Sequence, residues 1–389
     1  DAIGVAGLTR SLAPAEMETV LRPAFAALRT LGPRHVHYKV CSTFDSSPAV
    51  GSIGRAIDVG AESFGNRPVP LLVAAPALGR YCAFGQLYAR YGIGSAGAIY
   101  RLDRHPAISR HPVTPMTEAD LRVHLGQQTA KRIGLLDVLD LERPPAGSVA
   151  ALAALIAAGQ EVILFDGLND SHLLRAGALI DGLAGGTPLF SVGSSGIEAA
   201  LTAHWAESGR ASPPDEPSST TAQRGRFALP GPAAPLLGVS GSCSPVTAGQ
   251  IDWALAHGFT GIRFEGEGST ATAVATLQSG RHVVVYTSRG EAGAPVAATV
   301  LGSQLGRLAR TAVAQAGVTR LVVAGGDTSS YAGRALGIES LEMLAPLAPG
   351  APLCRAFAPG SPADGMEINF KGGQVGAPDY FGAVARGRI

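Results

Sequence analysis

Short runs of β-branched and aliphatic residues alternate along the chain with longer segments in which hydrophobic residues recur at helical spacing. In the first half the strand-like runs cover 35–41, 69–75, 162–166 and 188–192, and the helical patterns cover 17–31, 118–133 and 149–158. In the second half, strand-like runs at 236–240, 261–264, 282–287 and 321–324 are again separated by helical segments. A repeated strand and helix is typical of α/β layers with parallel strands.

A stretch rich in proline, serine, glycine and threonine interrupts this pattern at 207–235. Because no hydrophobic period continues through it, we interpret it as a linker or a long surface loop. We therefore expect two three-layer α/β domains with mostly parallel sheets, one at 1–206 and one at 236–389. In such sheets ligands bind where strand C-termini meet helix N-termini, so the turns at that edge are the candidate sites.

Composition excludes several classes of partner. The 389 residues carry 31 lysines and arginines against 30 aspartates and glutamates, a formal charge of +1. This balance gives no positive field for a polyanion, so we expect no nucleic-acid partner. No apolar stretch reaches the roughly 20 residues that cross a bilayer, so we expect no membrane partner. The cysteines at 41, 82, 243 and 354 form no CxxC pair, and together with the absence of a leader-like start they favour the cytoplasm.

One polar turn of the first half, within 39–60, combines hydroxyls with a helix start. Ser42, Ser46 and Ser47 precede a helix opened by the segment GSIG, so its amides could hold a carboxylate or a phosphate, with Arg55 pairing bidentately. Asp45 is the acid of this turn and could orient a sugar hydroxyl or act as a base. The alternative is that these residues are ordinary turn and cap residues.

A second polar segment, 101–121, concentrates basic groups. Arg104, His105, Arg110 and His111 could complement an acidic ligand, although a solvated surface is the commoner outcome for such a cluster. A helix is predicted to begin at residue 117, with residue 120 completing a capping box. The spacing of histidines, cysteines and acids supports no metal site, and we assign none. The segment 190–201 is another strand, Gly-Ser turn and helix, which is weak evidence alone.

Three glycine-rich turns occur in the second half, at 240–244, 324–328 and 371–376. Small residues let a nucleotide approach the backbone, and helix-start amides after the glycines could cradle phosphates, with Asp327 or Thr328 near a magnesium ion. Thr247 and Gln250 have the spacing of a capping box. The GxxxxGK[ST] and GxGxxG patterns are absent, so neither a P-loop enzyme nor an ordinary dinucleotide dehydrogenase is supported. Purely structural turns remain the alternative.

Six segments in order resemble motifs of the four-carbon acid sugar kinase family. They are CSTFDSSPAVGSIGRA (41–56), HPVTPMTEADL (111–121), FSVGSSGIEAAL (190–201), VSGSCSPVTAGQI (239–251), AGGDTS (324–329) and KGGQVGAPDYF (371–381). The resemblance covers nearly the whole chain. It implies an N-terminal sugar-acid-binding domain, a C-terminal nucleotide-binding domain and an active site in the cleft between them.

The implied activity is ATP-dependent phosphorylation, with Mg²⁺, of a terminal hydroxyl on a small sugar acid such as 3-oxo-tetronate, 3-oxo-isoapionate, threonate or erythronate. The GSIGRA form of the first motif resembles members that act on the two 3-oxo acids. The resemblance implies that the segment 42–55 faces the sugar acid. With the basic segment added, the candidate substrate-binding residues are Ser42, Asp45, Ser46, Ser47, Arg55, Arg104 and His111, with Asp45 as the candidate catalytic residue. The resemblance also implies nucleotide contacts at Ser242, Ser244, Gly325, Gly326, Asp327, Thr328, Gly373 and Gly376, and we add Lys371 as a candidate phosphate contact.

One departure from the family pattern concerns the start of the chain. Family members open with a strand carrying an Asp-Asp-Phe-Thr-Gly-Ala segment, whereas this sequence starts at Asp1 in what resembles the family's next strand. A parallel sheet without that strand would expose backbone edges, which favours a homodimer, with strand exchange as one form. Either the sequence is trimmed at this end or the protein lacks part of the substrate site, and the second case leaves open a non-catalytic sugar-acid-binding or sensor protein of the same fold.

Overall fold

The computed structural model describes residues 2–65, 68–91, 97–111, 113–209, 231–289 and 298–387. The chain divides into two compact units, one before and one after the undescribed segment 210–230. Most of the predicted linker, 207–235, therefore lies outside the described residues.

The first unit contains seven helices and eight strands among its described residues. They are α1 (Pro14–Thr30), β1 (His35–Lys39), α2 (Ile53–Phe64), β2 (Val69–Leu72), β3 (Arg80–Ala83), β4 (Gln86–Arg90), β5 (Ile99–Arg101), α3 (Leu121–Gly126), β6 (Ile133–Leu136), α4 (Val138–Glu142), α5 (Pro145–Ala157), β7 (Val162–Phe165), α6 (Asp170–Leu183), β8 (Leu189–Gly193) and α7 (Ser195–Glu207).

Five of these strands form a parallel sheet in the order β1-β8-β2-β7-β6, and β3, β4 and β5 form a small antiparallel sheet. The central strands β2 and β7, VPLL and VILF, are buried at every position. Continuous apolar strands of this kind are typical of a parallel sheet covered on both faces. Helix α1 packs Met17, Leu21 and Phe25 into the same core.

The second unit contains seven strands and five helices among its described residues. They are β9 (Leu236–Ser240), α8 (Pro245–Ala256), β10 (Thr260–Arg263), α9 (Glu267–Gln278), β11 (Val283–Tyr286), α10 (Ala298–Ala316), β12 (Arg320–Ala324), α11 (Gly326–Ala335), β13 (Ser340–Ala348), β14 (Ala351–Phe357), β15 (Glu367–Lys371) and α12 (Tyr380–Arg386).

The sheet order is β10-β11-β9-β12-β15-β14-β13, with the first five strands parallel and β14 antiparallel to both its neighbours. Helices α9, α10 and α11 contribute to one hydrophobic cluster, and α8 and α12 contribute to another. The sheet is thus the middle of three layers. The prediction of an α/β architecture with mostly parallel sheets is confirmed.

The predicted helix over 118–133 is wrong in its bounds, because α3 covers only Leu121–Gly126. Helix α3 begins only at Leu121, and β6 follows it from Ile133. Before the helix, the Glu118 side chain accepts from the amide of Asp120, and Asp120 in turn caps α3 by accepting from the amide of Arg122. Because these two carboxylates accept hydrogen bonds from nearby backbone amides, the helix starts four residues later than the predicted Thr117. Across the described residues, no helix combines the length and apolar character needed to span a membrane.

Candidate active site

Three turns meet at one edge of the sheet in the second unit. The register places Ala324 of β12 opposite both Ser240 of β9 and Lys371 of β15, so the last residues of these three parallel strands lie side by side. The amide of Gly241 donates to the carbonyl of Ala324 (3.2 Å), and that of Gly325 donates to the carbonyl of Lys371 (3.0 Å). The structure therefore brings together the three glycine-rich turns predicted from sequence.

The turns approach one another so closely that side chains are excluded. A Cβ on Gly373 would lie 2.5 Å from Ser242 Oγ and 3.0 Å from Ser244 Cβ, and a Cβ on Gly241 would lie 2.3 Å from Thr328 Oγ1. Gly325 has φ +112°, a conformation that side-chain-bearing residues rarely adopt. The result is a surface of main chain and small hydroxyls.

Helix α11 begins within this surface. Its first-turn amides, those of Gly326, Asp327 and Thr328, have no carbonyl to bind inside the helix, because the preceding turn is absent. The N-terminal end of a helix carries partial positive charge. Gly326 is exposed, Asp327 is half-buried and Thr328 is buried. This end of α11 has the amides and the polarity that an anionic group requires.

The predicted capping box of Thr247 and Gln250 is wrong. Helix α8 is capped by Ser244, whose side chain accepts from the amide of Val246. Thr247 and Gln250 face the turn after β15 instead. The Thr247 hydroxyl donates to the carbonyl of Gly373 (2.6 Å), and the Gln250 amide nitrogen lies within hydrogen-bond distance of three successive carbonyl oxygens further along that turn.

Lys371 ends β15 with its side chain inside the unit. It is 1% exposed, its amine donates to Thr247 Oγ1 (3.0 Å), and it lies 5.4 Å from the ring centroid of Tyr380. Burial lowers the pKa of Lys371 to about 7. The last predicted glycine, Gly376, has φ +95°, and a Cβ there would lie 2.0 Å from Tyr380. Both residues shape the turn.

In the first unit, the turn after β1 holds a buried carboxylate. Asp45 Oδ2 accepts from the Thr43 hydroxyl (2.7 Å) and pairs with Arg10 Nη2 (2.9 Å). Phe44 is fully buried with φ +55°, an unusual conformation for a residue with a side chain, and such strain is concentrated at functional sites. Ser42 lies half-buried in the same turn.

The remaining residues predicted in this turn are occupied by protein partners. Ser46 Oγ lies 3.0 Å from His124 Nε2, and the Ser47 hydroxyl donates to the carbonyl of Val50. The Arg55 guanidinium is bound to Glu18. Helix α2 does begin where predicted, but the amides of its first turn include one bound to the side chain of Gln128 and one bound to Ser52. Protein groups thus occupy much of the predicted anion cradle.

Two predicted substrate-binding residues lie in a different segment. Arg104 is largely exposed, 3.7 Å from Asp103, and the ring nitrogen Nδ1 of His111 lies 3.1 Å from both the amide and the hydroxyl of Thr114. These local contacts place them in the connection between β5 and α3. Their roles stay predictions.

Sequence reasoning missed two arginines near Asp45. Arg10 precedes α1, and nothing in the local sequence indicates its pairing with an acid 35 positions later. Arg80 is 1% exposed at the start of β3; burial lowers its pKa, and Cys41 and Asp45 oppose that shift, which places all three groups within electrostatic reach. Within the described ranges, no three histidine, cysteine, aspartate or glutamate side chains are placed so that they could hold a metal ion together.

Comparison with known proteins matches both halves of the chain to family models. Residues 1–201 match a sugar-binding N-terminal domain, and residues 237–381 match a nucleotide-binding C-terminal domain. A 3-oxo-isoapionate kinase of Paraburkholderia graminis is 41% identical over 417 residues, covering 100% of this chain and 85% of the relative. This chain belongs to the four-carbon acid sugar kinase family.

Family membership confirms the prediction of a phosphotransferase. A 3-oxo-tetronate kinase of Methylobacterium radiotolerans is 31% identical over 402 residues, covering 98% of this chain and 88% of the relative. Two solved structures share the fold. A Salmonella typhimurium LT2 protein has a TM-score of 0.72 at 22% identity and covers 98% of this chain and 88% of its own, and a Haemophilus influenzae protein has a TM-score of 0.63 at 21% identity and covers 97% and 88%.

Proposed function

We propose that this kinase transfers the γ-phosphoryl group of ATP to a terminal hydroxyl of a 3-oxo sugar acid of the 3-oxo-isoapionate or 3-oxo-tetronate type. The observation that carries the proposal is the convergence of three glycine-rich turns on one sheet edge of the second unit. The names of the similar kinases supply the substrate class. Threonate and erythronate are related four-carbon acids that carry a hydroxyl at C3 in place of the oxo group.

The nucleotide side fits the triphosphate of ATP. Phosphoryl transfer depends on alignment and charge neutralisation, which exposed main-chain amides supply without side-chain rearrangement. The groups that would hold the phosphates are Ser242, Ser244, Gly325, Gly326, Asp327, Thr328 and Gly373, with Lys371 and Gly376 supporting their turn. Bound Mg²⁺ would neutralise phosphate charge, and the half-buried Asp327 and the Thr328 hydroxyl are oxygen ligands of the type it prefers.

The sugar-acid side is proposed to be the turn around Asp45. Its carboxylate is held by Thr43 and Arg10, so it can orient a substrate hydroxyl or accept its proton in a fixed position. Arg10 is 41% exposed and lies beside Asp45, so it can contact a ligand held at Asp45 while the two stay paired, whereas Arg55 is paired with Glu18. We therefore favour Arg10 over Arg55 as the partner of the substrate carboxylate.

A coupled assay of ADP release tests this function. The full chain is incubated with ATP and Mg²⁺ and with 3-oxo-isoapionate, 3-oxo-tetronate, threonate or erythronate in turn. We expect turnover with a 3-oxo acid and loss of turnover when Mg²⁺ is chelated. Binding of an acid without ADP release by any of them would instead indicate the non-catalytic sugar-acid-binding protein. The homodimer, the cytoplasmic location, the domain boundaries and the cleft stay predictions from sequence.

A further inference from the structure

Helix α8 holds the turn after β15 through two side chains that face it one helical turn apart. The Thr247 hydroxyl donates to the carbonyl of Gly373 at 2.6 Å. The Gln250 amide nitrogen lies 3.0, 2.9 and 3.0 Å from the carbonyl oxygens of Val375, Gly376 and Ala377. Helix α8 thus places three donor hydrogens, one on Thr247 and two on Gln250, within hydrogen-bond distance of four carbonyl oxygens of one turn. We call Thr247 and Gln250 the α8 clamp.

The orientation of the Gln250 amide is fixed by this contact. Exchanging its nitrogen and oxygen would bring an acceptor against three carbonyl acceptors, which is unfavourable. In the observed orientation Oε1 is buried without a hydrogen-bond partner among the described residues. A buried acceptor without a partner costs free energy. The side chain of Gln250 therefore keeps its Nε2 donor on the turn although its Oε1 acceptor stays unpaired within the described part of the chain.

Lys371 joins the clamp from the strand. Its amine donates to Thr247 Oγ1 at 3.0 Å while the same hydroxyl donates onward to Gly373, so the end of β15 is bonded to the turn that follows it through one threonine. Lys371, Thr247 and Gln250 are all at most 1% exposed. None of the three side chains opens onto the surface of the turn, so each acts through the main chain that it holds.

The turn held by the α8 clamp packs against the turn after β9. A Cβ on Gly373 would lie 2.5 Å from Ser242 Oγ, so the two turns are already in contact without a side chain there. Ser242 Oγ accepts from the amide of Ser244, which in turn caps α8. A displacement of Gly373 would therefore change the spacing between two of the three turns that are proposed to bind phosphates.

We propose that Thr247 and Gln250 are positioning residues for the nucleotide, setting the affinity for ATP and ADP by fixing the 372–377 turn against the turn after β9. This inference rests on the proposed function, because it takes these turns as the phosphate site. Because Thr247 and Gln250 donate their side-chain hydrogen bonds to main-chain carbonyls of this turn in the second unit, we expect their loss to weaken nucleotide binding and to leave the contacts of the Asp45 turn in the first unit unchanged.

The matched pair Thr247→Val and Thr247→Ser tests this role. Valine keeps the branched shape and removes the hydroxyl, whereas serine keeps the hydroxyl. We expect T247V to raise the Kd of Mg·ADP, measured by isothermal titration, about tenfold, and T247S to stay within about twofold of wild type. In turnover assays the KM for ATP rises in T247V, whereas kcat and the KM for the sugar acid change less.

Gln250→Met gives an independent test, because methionine has nearly the same length and no donor. We expect it to weaken Mg·ADP binding as T247V does, and it decides the matter if T247V does not fold. Equal Mg·ADP affinity in wild type and a folded T247V or Q250M would overturn the inference, as would equal losses in T247V and T247S. A wild-type protein that binds no Mg·ADP would instead defeat the proposed function.

Discussion

Gly373 is a tightly packed residue of the proposed phosphate surface. A Cβ there would lie 2.5 Å from Ser242 Oγ and 3.0 Å from Ser244 Cβ, and its carbonyl accepts from Thr247. Rotating Ser242 Oγ away would break the hydrogen bond that it accepts from the amide of Ser244. A side chain at position 373 must therefore move one turn away from the other.

We predict that Gly373→Ala raises the KM for ATP about tenfold, since overpacking of this size costs roughly 1–3 kcal/mol. The control is Gly249→Ala on helix α8, where an added Cβ has no neighbour within 4 Å. Steady-state kinetics with varied ATP should show a normal KM for G249A. A normal KM for G373A would show that the contact between the two turns is unimportant for the nucleotide.

Some site residues were predictable from sequence and others were not, for a physical reason. The glycine turns carry a local signal, because small residues after a buried strand indicate close approach to the main chain. Thr247 and Gln250 carried a misleading one, since their spacing fits a capping box while their partners lie more than 120 positions away. Arg10 gave no signal, because ion pairs across long sequence separations leave no trace in local spacing.

At the scale of elements, one buried carboxylate ties β1, α6 and α7 together. Asp181 Oδ1 on α6 lies 3.0 Å from Arg34 Nε, 2.9 Å from His35 Nε2 and 3.2 Å from the indole nitrogen of Trp205 on α7. Burial alone would raise the pKa of Asp181, but hydrogen bonds from Arg34, His35 and Trp205 outweigh it, and the pKa lies below its usual range.

We predict that Asp181→Asn lowers the melting temperature by roughly 5 °C, because it removes charge-assisted hydrogen bonds in a buried position. The folded-state pKa lies below the usual 3.8, so the carboxylate stabilises the protein at pH values above 3.8 and loses this effect as the pH falls toward the folded-state pKa. The difference between wild type and D181N should therefore be constant near neutral pH and shrink in acid.

The matched control for this element prediction is Glu62→Gln. Glu62 pairs with Arg22 on the surface, with both side chains almost half exposed. Exposed pairs contribute little, so E62Q should change the melting temperature by about 1 °C or less. Calorimetry of the full chain at several pH values compares the two variants. Equal effects of D181N and E62Q would show that the Asp181 contacts do not hold these elements together.

Eight of the ten parallel strands in the described residues were predictable, whereas β6, β15 and the antiparallel strands were not. The strands β2, β7, β9 and β12 are buried at every position. Because both faces of such a strand are covered, its sequence is a mostly continuous apolar run that can be recognised locally. Strand β13, SLEMLAPLA, contains leucine, glutamate, methionine and alanine, which favour helix locally. Its pairing with β14 overrides that preference, and pairing between strands is a property of tertiary structure.

At the scale of the whole molecule, we propose that each unit binds one of the two substrates. The first unit matches a sugar-binding domain and carries the Asp45 turn, and the second matches a nucleotide-binding domain and carries the three glycine-rich turns. If each unit binds its own ligand, a substitution in one should leave the ligand of the other unaffected. We therefore expect the nucleotide and the sugar acid to be bound independently by the two units.

The most direct test is isothermal titration of Mg·ADP and, separately, 3-oxo-isoapionate into the wild type, Asp45→Asn and Gly373→Ala, each confirmed as folded by its melting curve. We predict that D45N binds Mg·ADP as wild type does but loses affinity for the sugar acid. G373A should bind the sugar acid normally, while its Kd for Mg·ADP rises about tenfold. Loss of both ligands in either variant, or unchanged Mg·ADP binding in G373A, would contradict this prediction.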